Sequence, residues 1–303
     1  MLDRIASFLY SCAWWLAILI ILVVVCLYLF QNKLIYQPTP MGLNLPPTPD
    51  LNPQGYRNPS ERGIAYEEFY LTTSDNVKIH TWLMTTSKGS SSPTFIFYHE
   101  NAGNFALRMD SFESFVKELG VNVFAVSYRG YGFSQGAPSE QGIYRDADRV
   151  MRFIFEEAPI DRSKVFLFGR SLGGATSIYS AWKFQEFPIR GLIIENTFTS
   201  LDDVVDNVMP YISHFKSLLL KNHWPSAERI KTLTVPILFI SGLQDELIPC
   251  EQMKRLHDLA INSRSKTFYA VENGDHNSTW RIAGEAYIPK LKEFVEKCLA
   301  IRD

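Results

Sequence analysis

The chain has 303 residues, 46% apolar and 20% charged, a balance that supports a sizeable packed core and excludes a wholly disordered protein. Its 30 basic and 32 acidic side chains leave a net charge of -2, which excludes the global basic field that holds nucleic acid by counterion release. Four cysteines, two of them inside an apolar run, make no disulfide framework; no Cys-x-x-Cys or His-Glu-x-x-His spacing offers a metal site, and no cofactor motif occurs.

A short tail, 1–11, precedes 19 consecutive uncharged residues at 12–30. As a helix rising about 1.5 Å per residue, this run spans roughly 28 Å, close to the hydrocarbon core of a bilayer. Trp14 and Trp15 lie near one end and Tyr28 near the other, as an aromatic belt places them. The following Phe30-Gln31-Asn32-Lys33 holds no small-residue cleavage site, so the segment reads as a single-pass signal-anchor. Arg4 with the amino group on one side and Lys33 on the other give the positive-inside rule little to act on; it tips toward a cytoplasmic N-terminus. Residues 31–62 then form a proline-rich linker, with prolines at 38, 40, 46, 47, 49, 53 and 59. That density forbids a helix or central strand and leaves two readings, a semi-rigid spacer or an arm laid on the domain.

Residues 63–303 alternate. Runs at 64–72 and 77–84 flank Ser74-Asp75-Asn76 as a hairpin. Short β-branched or aromatic runs at 94–98, 121–127, 165–168, 192–194, 235–240 and 267–271 suit strands buried on both faces. Between them apolar residues recur at helical spacing: Phe105, Met109, Phe112, Val116 and Leu119; then Ile143, Ala147, Val150 and Ile154; finally Tyr287, Leu291, Phe294, Val295 and Cys298. The pattern predicts an α/β fold, a mostly parallel eight-stranded sheet with helices on both faces. Residues 199–234 break the rhythm, with Phe215, Leu218, Leu219, Leu220 and Trp224 between Pro210 and Pro225. This interval reads as a small helical cap over the C-terminal sheet edge, or else as one long crossover helix.

Gly169-Arg170-Ser171-Leu172-Gly173 fits G-x-S-x-G, follows the strand at 165–168 and precedes a helix-compatible run. A strand-to-helix turn this tight leaves no room for side chains beside the serine, hence the flanking glycines, and it exposes the hydroxyl at the strand end. A serine needs a base, and on this scaffold the order is Ser, acid, His. His214 and His223 fall in the cap interval and His257 in a helical run, whereas His276 sits in a turn-rich loop after the last strand. Asp245, on the loop closing the strand before, is the expected acid; Glu195 is its rival, with Asp202 and Asp203 weaker and Asp275 awkwardly adjacent to the histidine. The expected oxyanion donors are the backbone N–H groups of Leu172 and of Asn101, in the loop at 99–104.

His99-Glu-Asn-Ala-Gly-Asn104, Tyr128-Arg-Gly-Tyr-Gly132, Phe166-Leu-Phe-Gly-Arg-Ser-Leu-Gly-Gly174, Glu195-Asn-Thr-Phe198, Phe239-Ile-Ser-Gly242, Leu247-Ile-Pro249 and His276-Asn277 together resemble the alpha/beta-hydrolase superfamily of serine hydrolases. More narrowly they resemble its membrane-anchored group of alpha/beta-hydrolase domain-containing protein thirteen, the bud-emergence-like hydrolases. The resemblance implies an alpha/beta-hydrolase fold and a Ser171–Asp245–His276 triad. It also implies hydrolysis of an ester, thioester or amide in an acyl-containing small molecule, a lipid or an acylated protein, without cofactor. Where the family carries glycine this chain has Glu100, expected to point outward, away from the oxyanion. Were it to point inward, the chain would read instead as a catalytically weak membrane-bound scaffold.

Overall fold

The computed structural model describes residues 2–40, 42–211 and 216–301. His214 and Phe215 of the cap interval lie outside the described residues, as do the side chains of Ser217 and Leu218.

Helix α1, Leu2–Ile35, is longer than the uncharged run because nothing breaks it until the chain approaches Pro38. It is long and apolar enough to cross a membrane, and none of its most apolar stretch is covered by the rest of the protein. The hairpin strands are β1, Ala65–Thr72, and β2, Lys78–Thr85; then come β3, Thr94–Tyr98, and β4, Asn122–Val126. The remaining strands are β5, Val165–Arg170; β6, Ile189–Glu195; β7, Ile237–Gly242; and β8, Lys266–Val271. All eight form one sheet in the order β1-β2-β4-β3-β5-β6-β7-β8, antiparallel at β1/β2 and β2/β4 and parallel elsewhere. β6 starts before the apolar run that announces it, since Arg190 and Gly191 interrupt the pattern.

Alternation along β3 sorts the two cores. Ile96 and Tyr98 face one side, packed with Ile143 and Val150 of α3, Glu140–Arg152, and Ile178 of α4, Leu172–Lys183. Phe95 and Phe97 face the other, with Met109 and Phe112 of α2, Met109–Ser114, and with Leu291 and Phe294 of a C-terminal helix, Tyr287–Ala300. The sheet grows outward from β3 in both directions, to β4 on one side and β5 on the other. The carboxyl ends of β3 and β5 therefore frame the crevice where open α/β sheets bind ligands.

Among the described residues the cap interval holds three short helices, α5, Leu201–Val208, α6, Lys216–Leu219, and α7, Ser226–Ile230, in place of one long crossover helix. The end of α1 is tied to it. The Gln31 side-chain amide donates to Leu219 O (2.9 Å) and accepts from the Lys221 N–H (2.7 Å), and Asn222 donates to Asn32 Oδ1 (2.8 Å). Tyr36 O–H donates to Asn222 Oδ1 (2.9 Å) and accepts from the fully buried Trp224 indole (3.0 Å). The proline-rich stretch lies on the domain as an arm: Asn52 and Asn104 exchange side-chain hydrogen bonds (2.9 and 3.0 Å), and Pro49 and Pro59 are buried.

Trp224→Ala empties that junction. We expect a loss of about 3–5 kcal/mol, measured by denaturation of the detergent-solubilised full chain; a loss under about 1 kcal/mol would mean the junction is not packed as described.

Candidate active site

Ser171 sits between β5 and α4 with φ 51° and ψ -119°, a backbone conformation that costs a side-chain-bearing residue energy and persists only when neighbours enforce it. The enforcement is steric and polar. A Cβ on Gly169 would lie 2.0 Å from Gly173 O, and one on Gly173 would lie 1.9 Å from Tyr98 O, so only glycine lets helix and strands approach this closely. The Ser171 N–H donates to Glu195 O (2.9 Å), and Thr197 O–H donates to Ser171 O (2.7 Å).

The loops after β7 and β8 bring the other two expected residues to the same edge. His276 Nε2 lies 3.0 Å from Ser171 Oγ, and Nδ1 lies 2.7 Å from Asp245 Oδ2. A carboxylate only accepts, so Nδ1 carries the proton and Nε2 is free to accept the serine hydroxyl. Asp245 is buried, and its Oδ1 accepts the N–H groups of Leu247 (3.0 Å) and Ile248 (2.8 Å), which fixes the carboxylate toward the imidazole. The rival acids are engaged elsewhere. Glu195 accepts from Arg170 Nε (3.1 Å) and from Tyr287 O–H. Asp202 pairs with His223 (3.0 Å), Asp203 accepts from Thr199 (2.5 Å), and Asp275 accepts the N–H groups of Asn277 (2.9 Å) and Ser278 (2.7 Å).

Leu172 and Asn101 line the same cavity as Ser171 and His276. The loop at 99–104 is anchored by Tyr128 O–H, which donates to His99 O (2.9 Å). His99 is wholly buried, and burial, reinforced by Arg108, pushes its imidazole down to about 3; it is neutral and structural. The Asn101 side chain reaches back to the anchor: its amide donates to Ile35 O, and its oxygen accepts from the Gln37 N–H (3.2 Å) and Tyr131 O–H (2.8 Å). The Gly103 N–H donates to Gln37 O (3.1 Å), completing a short parallel bridge between Gln37 and Ala102.

The Glu100 carboxylate, expected to turn away from the oxyanion, is held by two arginines. It is largely buried, with Oε2 accepting from Arg108 Nε (2.7 Å) and Oε1 3.8 Å from Arg170. Burial pushes its carboxyl up, but Arg108 and Arg170 outweigh that and hold it at about 2, so the acid is charged and compensated.

Two residues that bear on the site carry no role in the sequence reading. Asn196, also in the left-handed region (φ 46°), donates to Asp275 O (3.0 Å), His276 O (3.2 Å) and Thr279 Oγ1 (3.0 Å), and accepts from the Gly242 N–H (2.8 Å). It staples the histidine loop to the ends of β6 and β7. Arg170, next to the serine, is buried between Glu195, Ser111 and Tyr287. Among the described residues no group of three or more His, Cys, Asp or Glu side chains converges to hold a metal, and Cys12, Cys26, Cys250 and Cys298 are unbridged.

This sheet order, with a serine on a strained strand-to-helix turn beneath a late histidine loop, defines an alpha/beta-hydrolase fold. Residues 98–228 match the family described as serine aminopeptidase, S33. The chain is 37% identical to the alpha/beta hydrolase domain-containing protein WAV2 of Arabidopsis thaliana over 90% of each chain. It is 35% identical to protein bem46 of Schizosaccharomyces pombe, over 89% of this chain and 87% of that one. The esterase Pf2001 of Pyrococcus furiosus superposes with a TM-score of 0.69 at 19% identity, covering 86% of this chain and 99% of that one, a likeness of fold. The chain belongs to the alpha/beta-hydrolase family, in the group of WAV2 and bem46.

Replacing Asn196 by Leu removes three donated hydrogen bonds from the histidine loop. Amide exchange across 275–279 should quicken at least about tenfold, in line with roughly 1–3 kcal/mol for a buried polar group left unmatched; unchanged protection would remove Asn196 from that role. Glu100 is an acid with a lowered folded-state pKa, so its pairing stabilises the fold above the ordinary value of 4.5 and is lost as the pH falls toward 2. The melting-temperature gap between wild type and Glu100→Gln is therefore expected to be full at neutral pH and to narrow below pH 4.5; a gap constant with pH would contradict the ion-pair assignment.

Proposed function

We propose that the protein is a membrane-anchored serine hydrolase that cleaves an ester or thioester acyl bond through Ser171, His276 and Asp245. The observation that carries this reading is the continuous chain of hydrogen bonds, 3.0 Å from serine to imidazole and 2.7 Å from imidazole to carboxylate. Ser171 Oγ attacks the acyl carbon as His276 Nε2 takes its proton, and Asp245 stabilises the imidazolium that results. The N–H groups of Leu172 and Asn101 receive the charge that develops on the carbonyl oxygen, at the positive end of α4. Collapse of the tetrahedral intermediate breaks the acyl–oxygen or acyl–sulfur bond, and His276 returns the proton to the departing alcohol or thiol. Water, deprotonated by His276, then attacks the acyl-enzyme and releases the carboxylic acid and the free serine.

The anchor reading rests on α1, an uncovered apolar helix that carries the chain through a bilayer once. The carboxylate of Glu100, which would oppose an oxyanion if unpaired, is matched by Arg108 and Arg170, and this weighs against an inactive scaffold.

Labelling of the full-length protein by a fluorophosphonate probe tests the reading. Wild type should label, and Ser171→Ala and His276→Gln should lose at least about 1,000-fold in labelling rate or ester turnover. Undiminished labelling of folded Ser171→Ala would defeat it.

A further inference from the structure

The cavity above Ser171 has a volume of about 480 Å³, within the range of roughly 300–1,000 Å³ usual for ligand pockets. Apolar side chains from separate segments wall it, among them Leu34 and Ile35 of α1, Leu43 of the proline-rich arm, Val208 and Met209 at the end of α5, and Leu247 of the loop after β7. Much of this lining is also exposed. Leu34 is 58% accessible, Leu43 59%, Val208 48%, Met209 52% and Leu247 45%. A single exposed apolar side chain means little, but several around the mouth of one cavity mark a binding surface. This rim runs into α1, whose uncovered apolar surface reaches as far as Leu34. The bonds from Gln31 and Asn32 to Leu219, Lys221 and Asn222 hold the helix end and the cap together. The mouth therefore keeps a fixed position relative to the span.

We infer that the cavity opens onto the bilayer α1 crosses, and that its substrate is a long-chain acyl ester of a membrane lipid. The inference rests on the hydrolase reading above and specifies its substrate. The apolar rim lies against the membrane beside the helix end, so an acyl chain passes from lipid along Leu34 and Ile35 to the serine without an aqueous gap. Residues of the anchor thus form part of the binding site. An acyl chain on a protein cysteine brings a polar peptide backbone with it, which an apolar rim flush with the bilayer disfavours.

The test uses the full-length protein in phosphatidylcholine nanodiscs with 4-nitrophenyl acetate, 4-nitrophenyl palmitate, 1-palmitoyl-lysophosphatidylcholine and an S-palmitoylated cysteine peptide. The palmitate ester should turn over at least tenfold faster than the acetate, and the lysolipid faster than the peptide. Met209→Asp and Leu43→Asp, both at exposed positions, should each lower the palmitate-to-acetate ratio at least tenfold, with unaltered melting temperatures showing that the variants fold. Ser171-dependent turnover that favours acetate, or favours the peptide, overturns the inference and leaves the hydrolase reading intact. A wild-type protein that turns over none of the four and takes no fluorophosphonate label overturns both.

Discussion

The close approach of β3 to the start of α4 is the constraint on which the site depends. Tyr98 O occupies the space a Gly173 side chain would need, and Gly173 O in turn occupies the space beside Gly169. Backbone packed this tightly leaves Ser171 no relaxed conformation, so it is held at positive φ with its hydroxyl at the sheet edge. The same approach sets the loop at 99–104 against the first turn of the helix. The candidate nucleophile and the candidate oxyanion donors are thus consequences of a single packing contact, and the histidine and aspartate loops are built onto it from the neighbouring strands.

Helix α1 is joined to this edge rather than tethered at a distance from it. The chain leaves α1 at Ile35 and within two residues pairs with the loop that carries Asn101. Here the prolines help. They remove donors and hold the arm extended, which leaves N–H groups such as that of Gln37 directed to specific acceptors. Tyr36 and Trp224 close the junction from the cap side. The end of α1, the loop at 99–104 and the cap interval therefore share one hydrogen-bonded frame, and a displacement of the helix end would be felt at Asn101.

The run of strands, and the candidate residues Ser171, Asp245 and His276 that the structure brings to one sheet edge, were legible because each rests on a local signal: an apolar run, a glycine-flanked serine, a turn-rich loop at a strand end. Asn196 was not, although its segment carries part of the family resemblance. The groups it donates to lie 79 to 83 residues further along, and no local pattern says that an asparagine after one strand will hold the loop after another. The side chain of Asn101 is similar, since its bonds to Gln37 and Ile35 span 64 and 66 residues. The proline-rich arm was ambiguous for another reason: composition reports that a segment is extended, not what it lies against. Where the Glu100 side chain turns was not legible, because it is decided by Arg108, eight residues further along, and by Arg170 across the sheet edge.

That last pairing explains how a carboxylate is accommodated in the loop at 99–104. Arg170 is buried beside the serine, and a buried cation needs compensation. Glu195 supplies it on one side, with Ser111 and Tyr287 taking the remaining donors, while Glu100 approaches on the other. Burial raises the Glu195 carboxyl, with Arg170 opposing, whereas Arg108 and Arg170 together lower Glu100. Two arginines and two carboxylates thus balance within one cluster, and the charge that Glu100 adds near the oxyanion loop is matched by the charge of Arg108. Removing Arg108 alone would leave Glu100 facing the cavity with only the more distant Arg170 to offset it, so these two residues constrain one another, and the site tolerates Glu100 only in company with Arg108.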